Sequence, residues 1–434
     1  MTTIHSDEGL KSVIGVQGLA LSIVNGMIGA GIFVLPAIVS MQMGAFGIFS
    51  YIFCGLVGAV IMICYAETGS RITTSGGSYA YVEAAFGSLP GFIINWLYFF
   101  GYGILSSAAL MNVIADSLSI LFPALVNSQV RAALFFILIG CMILVNVRGT
   151  KQGIRLVKVS SVIKLVPLFG IIIFGFSHVK LHNLHWDSLP SLKTFGDTSL
   201  LLFFAFTGFE TSLGTSGEFM NPKRTVPRGI LLGGLIVLIV YLLLQTVAQG
   251  VLGSGIGLVK DAPIAAVAEK IVGPSGATIL LIAAAISCFG CVNSDLLATP
   301  RLLFAGANDG MFPKFLGIVH RRFSTPYLAI ITYGSLIFIL SISGGFKQLA
   351  LLASAAILIV YLSVILATIK LRKQKPGIGE KTFRAPGGLL IPIMGIAAIA
   401  WLLTSLSKWE ILSAIVFIAL IGVIFIAMRL MKRN

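Results

Sequence analysis

Apolar stretches of about 20 residues, the length that crosses the hydrocarbon core of a bilayer, recur along this chain from Val13 to Met428 with only short polar gaps between them. The pattern predicts twelve spans, at approximately 13–36, 44–66, 90–113, 132–147, 159–177, 198–216, 229–251, 276–304, 326–344, 349–370, 387–405 and 410–430. The gaps leave no room for a separate soluble domain. The chain therefore reads as a short N-terminal segment, 1–12, followed by one transmembrane unit over 13–430. The first apolar run carries glycines at its centre and is followed by many more, which separates it from a cleaved signal peptide.

Composition agrees with an all-α membrane protein. Of 434 residues, 57% are hydrophobic and 10% charged, whereas an average soluble domain carries about 25% charged residues. The net charge of +15 would suit a nucleic-acid binder if the basic residues were clustered, but they sit in the gaps. With the N-terminus in the cytoplasm, that face receives Arg148, Lys151, Arg155 and Lys158, then Lys223, Arg224 and Arg228, then Arg301, Lys314, Arg321 and Arg322. It also receives Lys370, Arg372, Lys373, Lys375, Lys381 and Arg384, and finally Arg429, Lys432 and Arg433. The opposite face holds Arg131, Lys180, Lys193, Lys260, Lys270, Lys347 and Lys408. This is the asymmetry of the positive-inside rule, and it places both termini in the cytoplasm of a multi-pass cell-membrane protein. Topology and anionic lipid headgroups account for the charge, so no nucleic-acid partner is expected.

Cys54, Cys64, Cys141, Cys288 and Cys291 all fall inside apolar runs, where an extracellular disulfide framework has no place. Cys288 and Cys291 form a C-x-x-C, read here as small packing residues because no second pair completes a zinc set. His178, His182 and His185 share one loop with no thiolate or carboxylate beside them, which reads as a solvated loop. Neither a metal nor a cofactor is expected.

Two spans carry small residues at their centres, the first at Ile28-Gly29-Ala30-Gly31-Ile32 and the sixth at Phe206-Thr207-Gly208-Phe209. Irregular backbone at membrane depth is tolerated only where it lines a cavity or is buried in protein, and paired discontinuous helices in two halves of a chain mark a transporter's midplane site. The five-span offset between them predicts two repeats of opposite orientation, about 13–177 and 198–370, with extra helices at about 387–430. A half-helix N-terminus suits a carboxylate, and unwound carbonyls suit an ammonium, so a zwitterionic amino acid would use both. Glycines serving only close helix packing are the alternative.

Six ordered motifs sharpen this reading. They are Gly29-Ala30-Gly31-Ile32-Phe33-Val34-Leu35-Pro36; Tyr65-Ala66-Glu67 with Ser75-Gly76-Gly77-Ser78-Tyr79-Ala80-Tyr81; Phe203-Phe204-Ala205-Phe206-Thr207-Gly208-Phe209-Glu210; Glu218 with Asn221-Pro222-Lys223-Arg224-Thr225-Val226-Pro227-Arg228; Asn293 with Arg301; and Asn308-Asp309-Gly310-Met311-Phe312-Pro313. In this order the chain resembles the amino acid–polyamine–organocation superfamily of permeases. The resemblance implies a five-plus-five inverted repeat with helices 1 and 6 broken, two C-terminal helices, and transport of amino acids or related amines by alternating access. It also implies that the backbone of Ile28, Gly29, Ala30 and Gly31 binds a substrate carboxylate. Phe206, Thr207 and Phe209 would face the amine through carbonyls, and Phe204 would form an aromatic lid.

Three ionisable residues fall well inside spans, Lys164, Glu210 and Asp295, where a charge costs at least about 2.5–3.5 kcal/mol. Lys164 aligns with the fifth-helix lysine of the family's sodium-independent members. It can tether the broken first helix and exchange a proton, or serve as a structural strut. Glu210 can attract an ammonium, titrate, or cap backbone N–H groups. Asp295, two places after Asn293 where the family has a small neutral residue, would suit a cationic substrate side chain or a proton, or act as a polar partner to a neighbouring helix. The expected function is sodium-independent secondary transport of amino acids, coupled to protons or exchanging one substrate for another, with a leaning to cationic substrates. A polyamine carrier or an amino-acid sensor of the same fold are the alternatives. No enzymatic constellation is visible.

Overall fold

The computed structural model describes residues 14–72, 76–186, 188–259, 262–308, 310, 312–373 and 383–431. The 1–12 segment lies outside these residues, as do Ser75, Lys260, Asp309, Met311, Lys375, Lys381, Lys432 and Arg433. The first apolar run forms α1 (Val16–Met27) and α2 (Gly31–Met43), and the second forms α3 (Ile48–Arg71). After the short α4 (Ser78–Phe86), α5 (Ser88–Trp96) passes through a π-helical stretch at Leu97–Gly103 into α6 (Ile104–Leu121). Then come α7 (Ser128–Arg148) and α8 (Thr150–Gly175). The sixth run is α9 (Leu192–Leu202), a 3-10 turn at Phe203–Phe206, an interruption, and further 3-10 turns at Phe209–Glu218. The remainder comprises α10 (Pro222–Leu252), α11 (Pro263–Val272), α12 (Pro274–Asn308), α13 (Tyr327–Ser341), α14 (Phe346–Leu371), α15 (Leu390–Leu403) and α16 (Lys408–Met431).

The architecture is all-helical. Among the described residues the only extended pairing is an isolated bridge between Ile14 and Phe219. Among the described residues, seven helical stretches are long and apolar enough to cross a membrane, and four shorter apolar helices accompany them. Several helices outrun the apolar windows because polar residues start them. Asn127 accepts from the N–H groups of Gln129 and Val130 at 2.8 and 3.4 Å, Ser191 accepts from Thr194 N–H at 3.0 Å, and Pro222 opens α10, as suits a residue whose missing N–H is one the first turn leaves unused. The short helices α4 and α11 were invisible to a 20-residue window.

Two packed groups make the core. Helix α10 lies against α1 and α3, while α9 lies against α2 and α3. In the second group α12 packs on α6 and α8, and α13 on α6 and α7. Helix α14 touches α3, α6 and the π-helical stretch. By contrast α16 presents most of its length outward, with Trp409 78% exposed, as an apolar helix facing lipid does.

Candidate functional site: two broken helices meeting at their breaks

The first break is a local loss of helical geometry with few repairs. Ile28 leaves the helical region at φ −76° and ψ 82°, and the Gly29 N–H turns back onto Met27 O at 2.9 Å. Helix α2 then starts at Gly31 with no side-chain cap; Phe33 N–H turns back onto Ala30 O at 3.0 Å, while the N–H groups of Gly31 and Ile32 lack helical acceptors. The second break is at Thr207, extended at φ −93° and ψ 167°, and Gly208, at φ +103°, a conformation that costs glycine little and other residues much.

The breaks are in direct contact. A Cβ on Gly208 would stand 2.8 Å from Gly26 O, one on Gly26 would stand 2.9 Å from Gly208 O, and one on Gly31 would overlap Ala205 Cβ at 2.6 Å. Glycine here serves a backbone-to-backbone approach that any side chain would prevent. Tyr241 fastens the pair, because its hydroxyl lies 2.8 Å from Met27 O and 3.0 Å from Ala205 O. Ser22 and Ser212 join the other halves at 2.9 Å.

Lys164, 1% exposed, reaches this centre from α8. Its Nζ donates to Asn25 O at 2.6 Å and to Ile28 O at 2.7 Å. Cys291 Sγ lies 3.7 Å from that Nζ and 3.7 and 3.8 Å from the same two carbonyls, and Ser287 Oγ donates to Ile28 O at 3.4 Å. A buried ammonium needs partners, and here carbonyls freed by unwinding supply them.

Glu210 occupies the other side of the second break. Its Oε2 accepts from Gly208 N–H at 3.1 Å and from Tyr361 O–H at 2.6 Å, while its buried Oε1 has no partner among the described residues. Tyr98 and Tyr102, both on the π-helical stretch, lie near it. Tyr98 O–H also meets Thr211 Oγ1 at 3.1 Å. Such π-helical turns occur often at functional sites.

The expected residues thus divide. Ile28, Gly29, Ala30, Gly31, Lys164, Phe204, Phe206, Thr207, Phe209 and Glu210 belong to the paired breaks. The rings of Phe206 and Phe209 turn into the core, Phe206 against Tyr241 and Phe209 against Tyr65 and Tyr361. Phe204 meets Phe346 edge-on at 5.7 Å, and its carbonyl is occupied by Thr207 Oγ1 at 2.8 Å. Asn293 is elsewhere, accepting from Asn146 Nδ2 at 2.9 Å. Asp295 accepts three hydroxyl donors, Ser107 at 2.7 Å, Tyr333 at 2.6 Å and Thr299 at 2.6 Å. Among the described residues no cluster of histidine, cysteine or acid could hold a metal.

Sequence reasoning missed Tyr241, Tyr361, Tyr98 and Tyr102. Their signal was available, since a tyrosine hydroxyl inside an apolar span requires a partner. Cys291, read as packing, faces Lys164.

Three relatives place the chain among known proteins. It is 28% identical to the serine/threonine exchanger SteT of Bacillus subtilis strain 168, over 91% of this chain and 90% of that protein. It is 26% identical to the branched-chain amino acid permease BcaP of the same organism, over 96% and 93%. To the methylthioribose transporter of that strain it is 29% identical, over 95% and 92%. The family model described as amino acid permease matches residues 14–432. The chain belongs to the amino acid permease family, whose members are membrane transporters rather than enzymes.

Proposed function

We propose that this protein is a secondary transporter that binds an amino acid between the two breaks and moves it by alternating access, without sodium. The meeting of two discontinuous helices at Gly26 and Gly208 carries the reading, because it puts unwound N–H and C=O groups side by side in a buried region. The first-turn N–H groups of α2 take the substrate carboxylate, and the carbonyls from Phe206 to Phe209 take the ammonium. Lys164 stands as a fixed cation where a sodium ion would otherwise neutralise the freed carbonyls, and proton coupling or exchange follows from that arrangement. Glu210 and Tyr361 gate the site, one on each side of a helix–helix seam.

Twelve spans in two inverted five-helix repeats plus two C-terminal helices, with both termini cytoplasmic, complete the proposal. The packing supports it: α3 against α10 and α6 against α12 are each a span paired with its counterpart five spans later.

Among substrate classes the geometry favours neutral amino acids over cationic ones. Both Asp295 oxygens already accept hydroxyl donors, and two relatives act on serine and threonine or on branched-chain amino acids.

Uptake into proteoliposomes tests these points, with labelled serine, leucine, lysine, putrescine and methylthioribose and with choline replacing sodium. Runs with an inside-alkaline pH gradient, and with unlabelled amino acid inside, separate proton coupling from exchange. Serine or leucine uptake that survives sodium removal, and whose substrate preference is unchanged in Asp295→Asn, agrees with the proposal. Lysine uptake lost in that variant would transfer the reading to cationic substrates, and putrescine or methylthioribose alone would end the amino-acid reading.

A further inference from the structure

A cavity of about 780 Å³ opens at the end of the molecule where α2 finishes and α9, α14 and α16 begin. Both broken helices lead to it. Ile38 and Gln42 on α2 line it, about two and three turns past the first break, and so does the length of α9 that precedes the second break.

Its charges are placed against the usual preference. Lys193 is the second residue of α9, Lys347 the second of α14 and Lys408 the first of α16, and all three line the cavity. The first turn of a helix is the positive end of its dipole and disfavours lysine. Three such lysines around one cavity are local departures of the kind that function explains.

Two acids share the lining. Glu410 is committed to its own helix start, where its Oε2 accepts from Ser407 N–H at 2.7 Å. Asp197 is exposed and has no partner among the described residues, although it lies one turn after Lys193. Thr198 beside it is only 4% exposed and lines the cavity, and its hydroxyl has no protein partner among the described residues. An anion-attracting rim, one free carboxylate and one free hydroxyl match the two ends of a zwitterion.

We infer that this cavity is a second, outer binding station for the amino acid, loaded before the substrate reaches the breaks. The lysines attract the carboxylate, Asp197 receives the ammonium, and Thr198 hydrogen-bonds the bound molecule. The inference rests on the amino-acid reading given above.

The test is the concentration dependence of serine and leucine uptake into proteoliposomes. It compares wild type, the triple variant Lys193→Gln, Lys347→Gln, Lys408→Gln, the variant Asp197→Asn, and the control Lys180→Gln, which lies off the cavity. Each is measured in phosphatidylcholine alone and with phosphatidylglycerol added. The station predicts a KM raised about tenfold in the triple variant, raised also in Asp197→Asn, and unchanged in Lys180→Gln. The maximal rate should stay within about twofold, the KM rise should appear in both lipids, and wild-type KM should climb with salt as the rim is screened. An unchanged KM in the triple variant overturns the station. A change confined to phosphatidylglycerol vesicles assigns the lysines to lipid phosphate and overturns it as well. Wild type that transports neither amino acid removes the parent reading and the station together, an outcome distinct from active wild type with indifferent variants.

Discussion

At the scale of single residues, the centre is held by groups that would be costly to bury alone. Lys164 donates to two carbonyls at the C-terminal end of α1, Asn25 O and Ile28 O, and hydrogen bonds to a charged group are worth about 1.5–3 kcal/mol each. Lys164→Met should therefore loosen the first break and lower serine or leucine uptake by about ten- to a hundredfold, measured against equal amounts of folded protein. Gly208→Ala combines positive φ with overlap on Gly26 O. Strain of this kind is of order 1–3 kcal/mol, and a lower unfolding temperature in detergent is the expected result. Glu210→Gln keeps the size of the side chain but removes the charge that accepts from Gly208 N–H and Tyr361 O–H. Serine or leucine uptake in that variant should fall, measured as the initial rate against equal amounts of folded protein.

Between elements, one contact outside the paired breaks has a clear energetic meaning. Glu67 at the end of α3 is fully buried and pairs with Arg372 just beyond α14, at 2.8 Å from Nε and 2.6 Å from Nη2. The same carboxylate accepts from Ala385 N–H at 2.9 Å. Ser70 and Phe383 bond one another at 3.0 Å. Together these bonds pin the approach to α15 against α3. Removing one partner of a buried pair leaves the other charge uncompensated, at a cost of about 3–5 kcal/mol. Arg372→Met should accordingly lower thermal stability more than Arg71→Met, since Arg71 reaches Glu67 only at 3.5 Å.

For the whole molecule, the proposed orientation makes a sided prediction. In a cysteine-free background, a membrane-impermeant thiol reagent should label Lys180→Cys from outside intact cells and Arg228→Cys only after the membrane is opened. Labelling of both from one side would overturn the topology. In the alternating access proposed above, the two packed groups, one built on α1, α3 and α10 and the other on α6, α8 and α12, would be the bodies that move against one another.

The sequence by itself determined that this is an all-helical membrane protein of the amino acid permease family, and where two of its helices break. Hydropathy is a local property, and Gly29, Gly31 and Gly208 stand at the centres of the two apolar runs that break. Only the tertiary structure decided what each polar group meets. The sequence could not say that Asp295 is surrounded by Ser107, Thr299 and Tyr333, which come from three helices, or that Cys291 faces Lys164. Nor could it bring Lys193, Lys347 and Lys408 to one cavity. A side chain's partner in a membrane protein is set by helix rotation and packing, and those depend on contacts between residues far apart in the chain.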